Sequence, residues 1–111
     1  MKKVYIASPY TLGDQSVNVR KQIDVADNLL NNEYIPFTPL LSHFHHFVYP
    51  RSYESWMVYC LEWVKTCDYL LRLEGESNGA DMEVKTAKEN NIPVFFSLEE
   101  LYSKTKQLEN E

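Results

Sequence analysis

The sequence predicts an α/β fold in which a parallel sheet of about four to five strands is covered by helices on both faces. Short apolar segments rich in β-forming residues alternate with longer segments whose apolar residues recur at helical spacing. Such alternation favours a parallel sheet with right-handed crossovers. The 111 residues show no internal repeat, and 44% of them are hydrophobic, which suits a single core. We therefore expect residues 1–111 to form one domain, a three-layer sandwich of flavodoxin-like or Rossmann-like type.

The individual strands and helices are predicted from the lengths of the apolar segments and from the turn-forming residues between them. The predicted strands are KVYIAS, YIPF, DYLLRL and IPVFF. Helices are predicted over residues 16–31, 52–66 and 80–89, and over SLEELYSKTKQLENE with a frayed acidic tail from about residue 104. Ser97 and Glu100 fit a capping box at the start of this last helix. The segment TPLLSHFHHFVYP has no clean period and predicts a loop or a broken helix.

The composition disfavours several classes of partner. A net charge of −5 argues against a nucleic-acid polymer, since proteins that bind one usually carry a basic patch. No segment approaches the ~18 apolar residues of a membrane span, and MKKVYIASPY lacks the apolar run of a signal peptide. Cys60 and Cys67 fit neither a CxxC site nor a disulfide framework. We expect a cytoplasmic protein with reduced thiols and no membrane partner.

Two polar segments follow predicted strands, at the sheet edge where ligands bind in parallel α/β folds. The first is the turn of Ser8, Pro9 and Tyr10, in which Tyr10 is a candidate to stack on a planar base. Just before it, Tyr5 is either a core aromatic residue or a phenol whose hydroxyl orients a carboxylate. The first strand and its turn therefore supply candidate binding residues.

The second polar segment is ESNGADMEVKTA, at the start of a predicted helix. Ser77 or Asn78 can cap the helix, and Gly79 allows a ligand to approach the backbone. Asp81 and Glu83 are expected in its first turn, where acidic residues stabilise the helix dipole by a few tenths to ~1 kcal/mol. Taken alone, the segment favours this structural role. The alternative is that the dipole keeps Glu83 ionised as a nucleophile for a sugar carbon, while Ser77 and free N–H groups hold a phosphate or hydroxyl.

Three motifs, VYIASPY, CDYLLRL and SNGADMEVKTA, lie in this order between residues 3 and 96. Together they resemble the nucleoside 2-deoxyribosyltransferase superfamily, which includes the 2'-deoxynucleoside 5'-monophosphate N-glycosidases. The resemblance implies that Glu83 forms a 2-deoxyribosyl-enzyme ester, that Tyr5 contacts Glu83, and that Ser77 contacts a phosphate. It also implies a small nucleoside or nucleotide as partner, no cofactor and no metal, and a homo-oligomer. The aromatic segment 44–53 is a candidate to contribute to a neighbouring site.

The sequence departs from the family pattern at two positions. In the family, an Asp that assists proton transfer to the leaving base lies eight residues before the Asp of the CD motif. In this sequence Asp68 is the Asp of that motif, and the residue eight positions earlier is Cys60. A cysteine on an apolar helix face is expected in the core. Asp81 stands where relatives often have Gly, and two close carboxylates raise one pKa, so Asp81 either serves as the acid or repels a phosphate.

Three functional hypotheses remain open at this point. The leading one is cleavage or transfer at the N-glycosidic bond of a (deoxy)nucleoside or nucleoside 5'-monophosphate, with hydrolysis favoured over transfer. The alternative is a non-catalytic protein that senses or sequesters a nucleotide, which Cys60 keeps open. The third is a structural or interaction domain that kept the fold and lost the site.

The remaining candidates are expected in ordinary roles. His43, His45 and His46 match no zinc spacing, so we expect them in a pocket wall or surface loop, although a histidine there is able to protonate a leaving base. Trp56 and Trp63 are expected in the core in preference to a stacking platform. Arg20 and Arg51, near helix starts, are expected in solvent in preference to a phosphate contact.

Overall fold

The computed structural model describes residues 1–109 and contains four strands that alternate with helices. The elements are β1 Lys3–Ala7, α1 Gln15–Asn31, β2 Ile35–Phe37, α2 Ser42–Val48, α3 Tyr53–Val64, β3 Tyr69–Arg72, α4 Asn78–Glu89, β4 Val94–Phe95 and α5 Leu98–Glu109, with a 3-10 turn at Pro39–Leu41. Among these residues, no helix is long and apolar enough to cross a membrane.

The four strands form one parallel sheet in the order β2-β1-β3-β4. Tyr5, in the middle of β1, lies opposite Phe37 on one side and Leu70 on the other. The chain moves outward from β1 to β2 and then crosses back to β3, so the strand order reverses between β1 and β3. In sheets of this kind a crevice opens at the carboxyl ends of the two strands that flank the reversal.

Alternate residues of β1 face two separate layers of helices, because successive side chains of a strand point to opposite faces. Val4 and Ile6 pack in the layer of α1 and α5, with Ala26, Leu29, Tyr69, Leu71, Phe95 and Leu101. Tyr5 and Ala7 pack in the layer of α3 and α4, with Cys60, Val64, Cys67, Leu70, Ala80 and Ala87. The predicted three-layer α/β sandwich is confirmed, and Tyr5 points into the α3–α4 layer.

The segment before α3 folds as the second of the two predicted alternatives, a broken helix. The 3-10 turn is followed directly by α2, and no residue of α2 is buried. A helix without a buried face has no reason to show an apolar period, which explains the absence of one in TPLLSHFHHFVYP.

The prediction that Trp63 lies in the core is wrong. Its side chain is 42% exposed, and its ring stacks on Phe37 with centroids 4.7 Å apart. Phe37 belongs to the edge strand β2, so the indole covers the edge of the sheet instead of filling its interior. Cys60 and Val64 are the residues that α3 buries.

The frayed tail expected from about residue 104 stays a prediction. Within the described residues α5 extends to Glu109. Thr105 is fully buried, and its hydroxyl lies 2.5 Å from the Tyr34 hydroxyl and 2.7 Å from the Leu101 carbonyl oxygen. The last two residues of the predicted tail, 110–111, lie outside the described residues.

The loop between β3 and α4 packs tightly on the turn after β1. Gly75 has a φ of +118°, and a Cβ added there would lie 2.7 Å from Cγ of Pro9. Its carbonyl oxygen accepts a hydrogen bond from Arg72 at 2.8 Å. The loop that leads into α4 therefore requires glycine both for its backbone conformation and for the space that Pro9 occupies.

We predict that Gly75→Ala destabilises the fold more than Gly13→Ala does. Gly13 has a φ of +84° with nothing within 4 Å of an added Cβ, so alanine there costs about 1 kcal/mol for the backbone alone. Alanine at Gly75 also meets Pro9, and a total loss of about 2–3 kcal/mol is expected. Urea unfolding of both variants measures the difference, and equal losses would contradict the contact with Pro9.

Candidate functional site

A cavity of about 500 Å³ lies at the carboxyl ends of β1 and β3. Its walls are the turn after β1, the segment from the 3-10 turn into α2, the first two turns of α3, and the start of α4. The volume falls in the range of about 300–1,000 Å³ that is typical of sites for small molecules. Of the predicted site residues, it is lined by Ser8, Tyr10, Ser77, Asn78, Gly79 and Glu83.

Glu83 lines this cavity from α4 and is nearly buried, with 6% of its surface exposed. The hydroxyl of the fully buried Tyr5 donates a hydrogen bond to Glu83 Oε2. The two residues are 78 positions apart in the chain, and they meet because both point into the α3–α4 layer. The structure therefore brings together the carboxylate and the phenol that the sequence paired.

The position of Glu83 in the helix and its pKa both differ from the expectation of a first-turn carboxylate kept ionised by the helix dipole. Its position is not in the first turn of α4, because the helix begins at Asn78 and Asp81 is the acidic residue of that turn. Burial raises the pKa of the Glu83 carboxyl from 4.5 to about 7, while the hydrogen bond from Tyr5 and the charge of Arg72 act to lower it. At neutral pH the carboxyl group is therefore less ionised than that of an exposed glutamate, and it is Tyr5 and Arg72, not the first-turn dipole, that favour the ionised form.

Tyr5 stays a donor at neutral pH. Burial, followed by the nearby Glu83 and Cys60, raises the pKa of its hydroxyl well above the usual 10. A phenol that keeps its proton holds one carboxylate oxygen in place and leaves the rest of the carboxyl group for the cavity. Tyr5 itself lies behind Glu83 and does not line the cavity.

Cys60, on α3, belongs both to the core and to the wall of the cavity. Burial raises the pKa of its thiol to about 11, and Tyr5 and Glu83 both act on that pKa. The thiol is therefore neutral at physiological pH and is a poor acid. At this position the cavity has a small, weakly polar wall where the resembling family has a carboxylate.

The first turn of α4 presents backbone donors to the cavity. The Ser77 side chain caps the helix, with Oγ accepting from the Ala80 N–H at 3.1 Å, so its own O–H remains able to donate. The N–H groups of Asn78 and Gly79 lie in the first turn, where no intrahelical acceptor exists. These donors lie at the positive end of the helix dipole and suit an anion or a sugar hydroxyl.

The wall formed by α2 and α3 is aromatic. The Tyr10 hydroxyl is hydrogen-bonded to His43 Nδ1, and the Trp56 indole N–H donates to His46 Nδ1 at 2.9 Å. Trp56 thus lines the cavity instead of filling the core, and His43 and His46 lie in the wall. His45 points elsewhere and meets the Trp56 ring edge-on with centroids 5.1 Å apart. Within residues 1–109, no group of three or more His, Cys, Asp or Glu side chains is arranged to hold a metal ion.

A buried glutamine that the sequence reasoning missed holds two walls of the cavity together. Gln22, on α1, is fully buried and donates to the Ile6 carbonyl oxygen at 3.1 Å and to Ser8 Oγ at 2.8 Å. Its Oε1 accepts from the Leu40 N–H at 2.9 Å. The sequence feature that could have indicated this role is a polar residue within the apolar stripe of the first helix, because a buried polar group is normally hydrogen-bonded.

Three predicted site residues do not line the cavity: Tyr5, as described above, and Asp81 and Pro9. Asp81 is not beside Glu83: its side chain is 69% exposed and forms an ion pair with Arg72 at 3.1 Å. Residues two apart on a helix point about 200° away from each other, which is why Asp81 does not share the cavity with Glu83. Pro9 packs on Gly75 instead of lining the cavity.

The arginines also differ in their roles. Arg51, expected in solvent, is exposed but lines the cavity, and its Nε donates to Ser55 Oγ at 2.7 Å. Arg20 lies on the surface in an ion pair with Asp24 at 3.1 Å.

Arg72 is a residue of the site for which no role was predicted from the sequence. It is buried, it donates to carbonyl oxygens of the β3–α4 loop, and its charge lowers the pKa of Glu83. The feature of the sequence that could have indicated this role is a charged residue at the end of an otherwise apolar strand, because a buried charge needs partners.

The fold is that of an α/β protein, with a cavity of a size typical of small-molecule sites at the carboxyl edge of its parallel sheet. Residues 2–97 match the family described as "Domain of unknown function (DUF7768)", and the chain belongs to that family. No curated protein matches the chain.

A solved structure shares the fold. It is a 2-deoxyribosyltransferase from the psychrotolerant bacterium Bacillus psychrosaccharolyticus, described as a biocatalyst for the synthesis of antiviral and antitumoral nucleosides. The likeness covers 83% of this chain and 69% of that chain, with a TM-score of 0.55 and 24% sequence identity. The resemblance predicted from the three sequence motifs is thus confirmed at the level of the fold.

We predict that the buried Glu83 makes the stability of the protein depend on pH. Its pKa is higher in the folded state than in the unfolded chain, so between pH 4.5 and 7 the folded state keeps a proton that the unfolded chain releases. The stabilising effect is complete below pH 4.5, and it is lost as the pH rises through 7. From about pH 5 to pH 8, the wild type should lose about 2–3 kcal/mol relative to Glu83→Gln.

Urea unfolding of the two proteins at both pH values measures this difference. Glu83→Gln is the matched control because it keeps the shape of the side chain and removes the titration. Parallel pH dependence of the two free energies of unfolding would contradict the burial of an ionisable carboxyl at this position.

Proposed function

We propose that the protein cleaves or transfers at the N-glycosidic bond of a (deoxy)nucleoside or nucleoside 5'-monophosphate, with Glu83 as the nucleophile. The observation that carries the proposal is the Glu83 carboxyl in the cavity wall, held by the Tyr5 hydroxyl, with burial raising its pKa to about 7. A carboxylate nucleophile has to be ionised and oriented, and this contact supports both requirements. The shared fold with a 2-deoxyribosyltransferase is compatible with the same chemistry.

The start of α4 supports a sugar-phosphate end for the ligand. Ser77 and the N–H groups of Asn78 and Gly79 offer hydrogen-bond donors a turn or two before Glu83 on the same helix. Arg51, elsewhere in the wall of the cavity, adds a positive charge that favours an anionic ligand in general. Ser8, held by the buried Gln22, adds a further hydroxyl.

In the proposed reaction, a Glu83 carboxylate oxygen attacks the anomeric carbon as the C–N bond breaks. The electron pair of that bond leaves with the base, which takes up a proton, and an ester joins the sugar to Glu83. Attack by water on this ester releases the sugar or sugar phosphate and restores the carboxylate, whereas attack by a second base gives transfer. We favour hydrolysis, in line with the expectation from the sequence.

A second candidate function is supported by Cys60. Its neutral thiol lines the cavity at the position where the resembling family has a carboxylate that helps to protonate the leaving base. Asp81, ion-paired to Arg72 outside the cavity, offers no replacement. A protein with this cavity and without that acid would bind a nucleotide and leave it intact.

The assembly and location of the protein stay predictions. A homo-oligomer is supported by exposed apolar side chains on α2 and at its C-cap, which a neighbouring chain would cover. These side chains are Phe44, Phe47, Val48 and Tyr49. We propose a cytoplasmic enzyme of one domain, in line with the composition.

We predict that the protein releases free base from at least one member of a panel of deoxynucleosides, ribonucleosides and their 5'-monophosphates. Chromatography of the products measures the release. Glu83→Gln should lower the rate by more than about 10³-fold, because the amide is not a nucleophile in this reaction. Thermal shift with each compound shows whether both proteins still bind.

The outcomes separate the two candidate functions. Release that depends on Glu83 supports the enzyme. Stabilisation by a nucleotide with no release supports the binding protein, and full activity in Glu83→Gln would contradict the assignment of the nucleophile.

A further inference from the structure

His46 forms two hydrogen bonds through one ring nitrogen. Its Nδ1 lies 2.9 Å from the indole nitrogen of Trp56 and 3.2 Å from the backbone nitrogen of Arg51. Its ring lines the cavity, on the wall formed by α2 and α3. Among residues 1–109, Nε2 has no hydrogen-bond partner.

Both partners of Nδ1 are able only to donate. An indole N–H and a backbone N–H have no lone pair to offer, so Nδ1 must be the acceptor. The neutral ring then carries its proton on Nε2. A doubly protonated ring would place an N–H against two other N–H groups, so these contacts favour a neutral histidine with one fixed donor.

We propose that His46 is a specificity-determining residue whose Nε2–H donates a hydrogen bond to an acceptor atom of the nucleobase. The acceptor is a carbonyl oxygen or an unprotonated ring nitrogen. Trp56 is a positioning residue, because its indole N–H selects the tautomer that donates. This inference rests on the proposed function, since it assigns the base end of the same ligand.

The composition of the wall supports a base at this end. Tyr10 and Trp56 offer aromatic rings that suit a planar ligand, and the backbone donors for a sugar-phosphate lie elsewhere, at the start of α4. A neutral, fixed donor suits an uncharged base. His46 is half-buried, and a bound base would cover its Nε2–H. A ligand without the matching acceptor would then leave this donor unpaired, so the site would disfavour it.

The same contacts argue against His46 in the role of proton donor, which the sequence left open for a histidine of this segment. A neutral imidazole that gave up its Nε2 proton would become an anion, which is unfavourable near neutral pH. His46 therefore donates a hydrogen bond and keeps its proton. The base that leaves takes its proton from another source, such as water.

The test compares natural purine substrates with analogues that each lack one acceptor. The probes are purine deoxynucleoside 5'-monophosphates and their 7-deaza and 3-deaza forms, together with pyrimidine deoxynucleoside 5'-monophosphates and analogues in which a carbonyl oxygen is removed. For one of these pairs, the wild type should show about 10–100-fold lower kcat/KM with the analogue. In His46→Phe, the ratio for that pair should fall to about one.

Two further variants separate a donor from a merely structural ring. His46→Gln has an amide N–H near the position of Nε2 and should restore part of the discrimination. His45→Phe keeps a ring against Trp56, outside the cavity, and should keep the wild-type ratio. A discrimination that survives in His46→Phe for every pair would overturn the proposal.

The tautomer has its own spectroscopic test in the wild-type protein, which does not depend on whether a variant folds. The ¹⁵N spectrum of His46 should show an unprotonated Nδ1 and a protonated Nε2. Trp56→Phe removes one donor and should reduce the preference for this tautomer. A proton on Nδ1 in the wild type would overturn the inference.

Failure of the proposed function is distinguishable from failure of this inference. If nucleotides bind and no base is released, the same ratios are measured as dissociation constants, and they decide the role of His46 alone. If release depends on Glu83 but not on His46, only the inference about His46 is lost. If no compound of the panel binds or reacts, both are lost.

Discussion

The hydrogen bond from Tyr5 to Glu83 joins the central strand β1 to α4 across the interior of the α3–α4 layer. The geometry of the site depends on this bond. Glu83 shares the buried face of α4 with Ala80 and Ala87, so it reaches the cavity while Asp81 points away to Arg72. The hydrogen bond also keeps a carboxyl group partly ionised in a place where burial alone would favour the neutral acid. This buried contact thus affects both the position and the pKa of the Glu83 carboxyl.

The rest of the cavity is assembled around this contact by the order of the strands. The reversal between β1 and β3 brings the turn after each strand to the same edge of the sheet, and Gly75 packing on Pro9 joins the two turns. Gln22 ties the turn after β1 to the segment before α2. The same cavity then has two chemically different sides, with backbone donors at the start of α4 and an aromatic wall on α2 and α3. This division would suit the proposed ligand, a nucleoside or nucleotide with a polar sugar end and a planar base.

The order and type of the elements could be predicted from the sequence, because short β-rich segments and helical periods are local signals. The pairing of Tyr5 with Glu83 came from a family motif, since no local signal relates residues 78 positions apart. The direction of Asp81 was not predictable, because it depends on how α4 is rotated against the sheet. The roles of Arg72 and Trp63 depend likewise on tertiary contacts, with a loop in one case and with an edge strand in the other. The pKa of Glu83 depends on burial, which the position in a helix does not reveal.

The most direct test of the account is a pH titration of the Glu83 carboxyl carbon by ¹³C NMR in the free protein, in the wild type and in Tyr5→Phe. We predict a midpoint near 7 in the wild type, because burial raises the pKa, and a higher midpoint in Tyr5→Phe, because the hydrogen bond that lowers it is lost. Tyr102→Phe, which removes a hydroxyl bonded to Asn28 on the other face of the sheet, is the control and should leave the midpoint unchanged. A wild-type midpoint near 4.5, or one that Tyr5→Phe does not raise, would contradict a buried carboxylate governed by Tyr5.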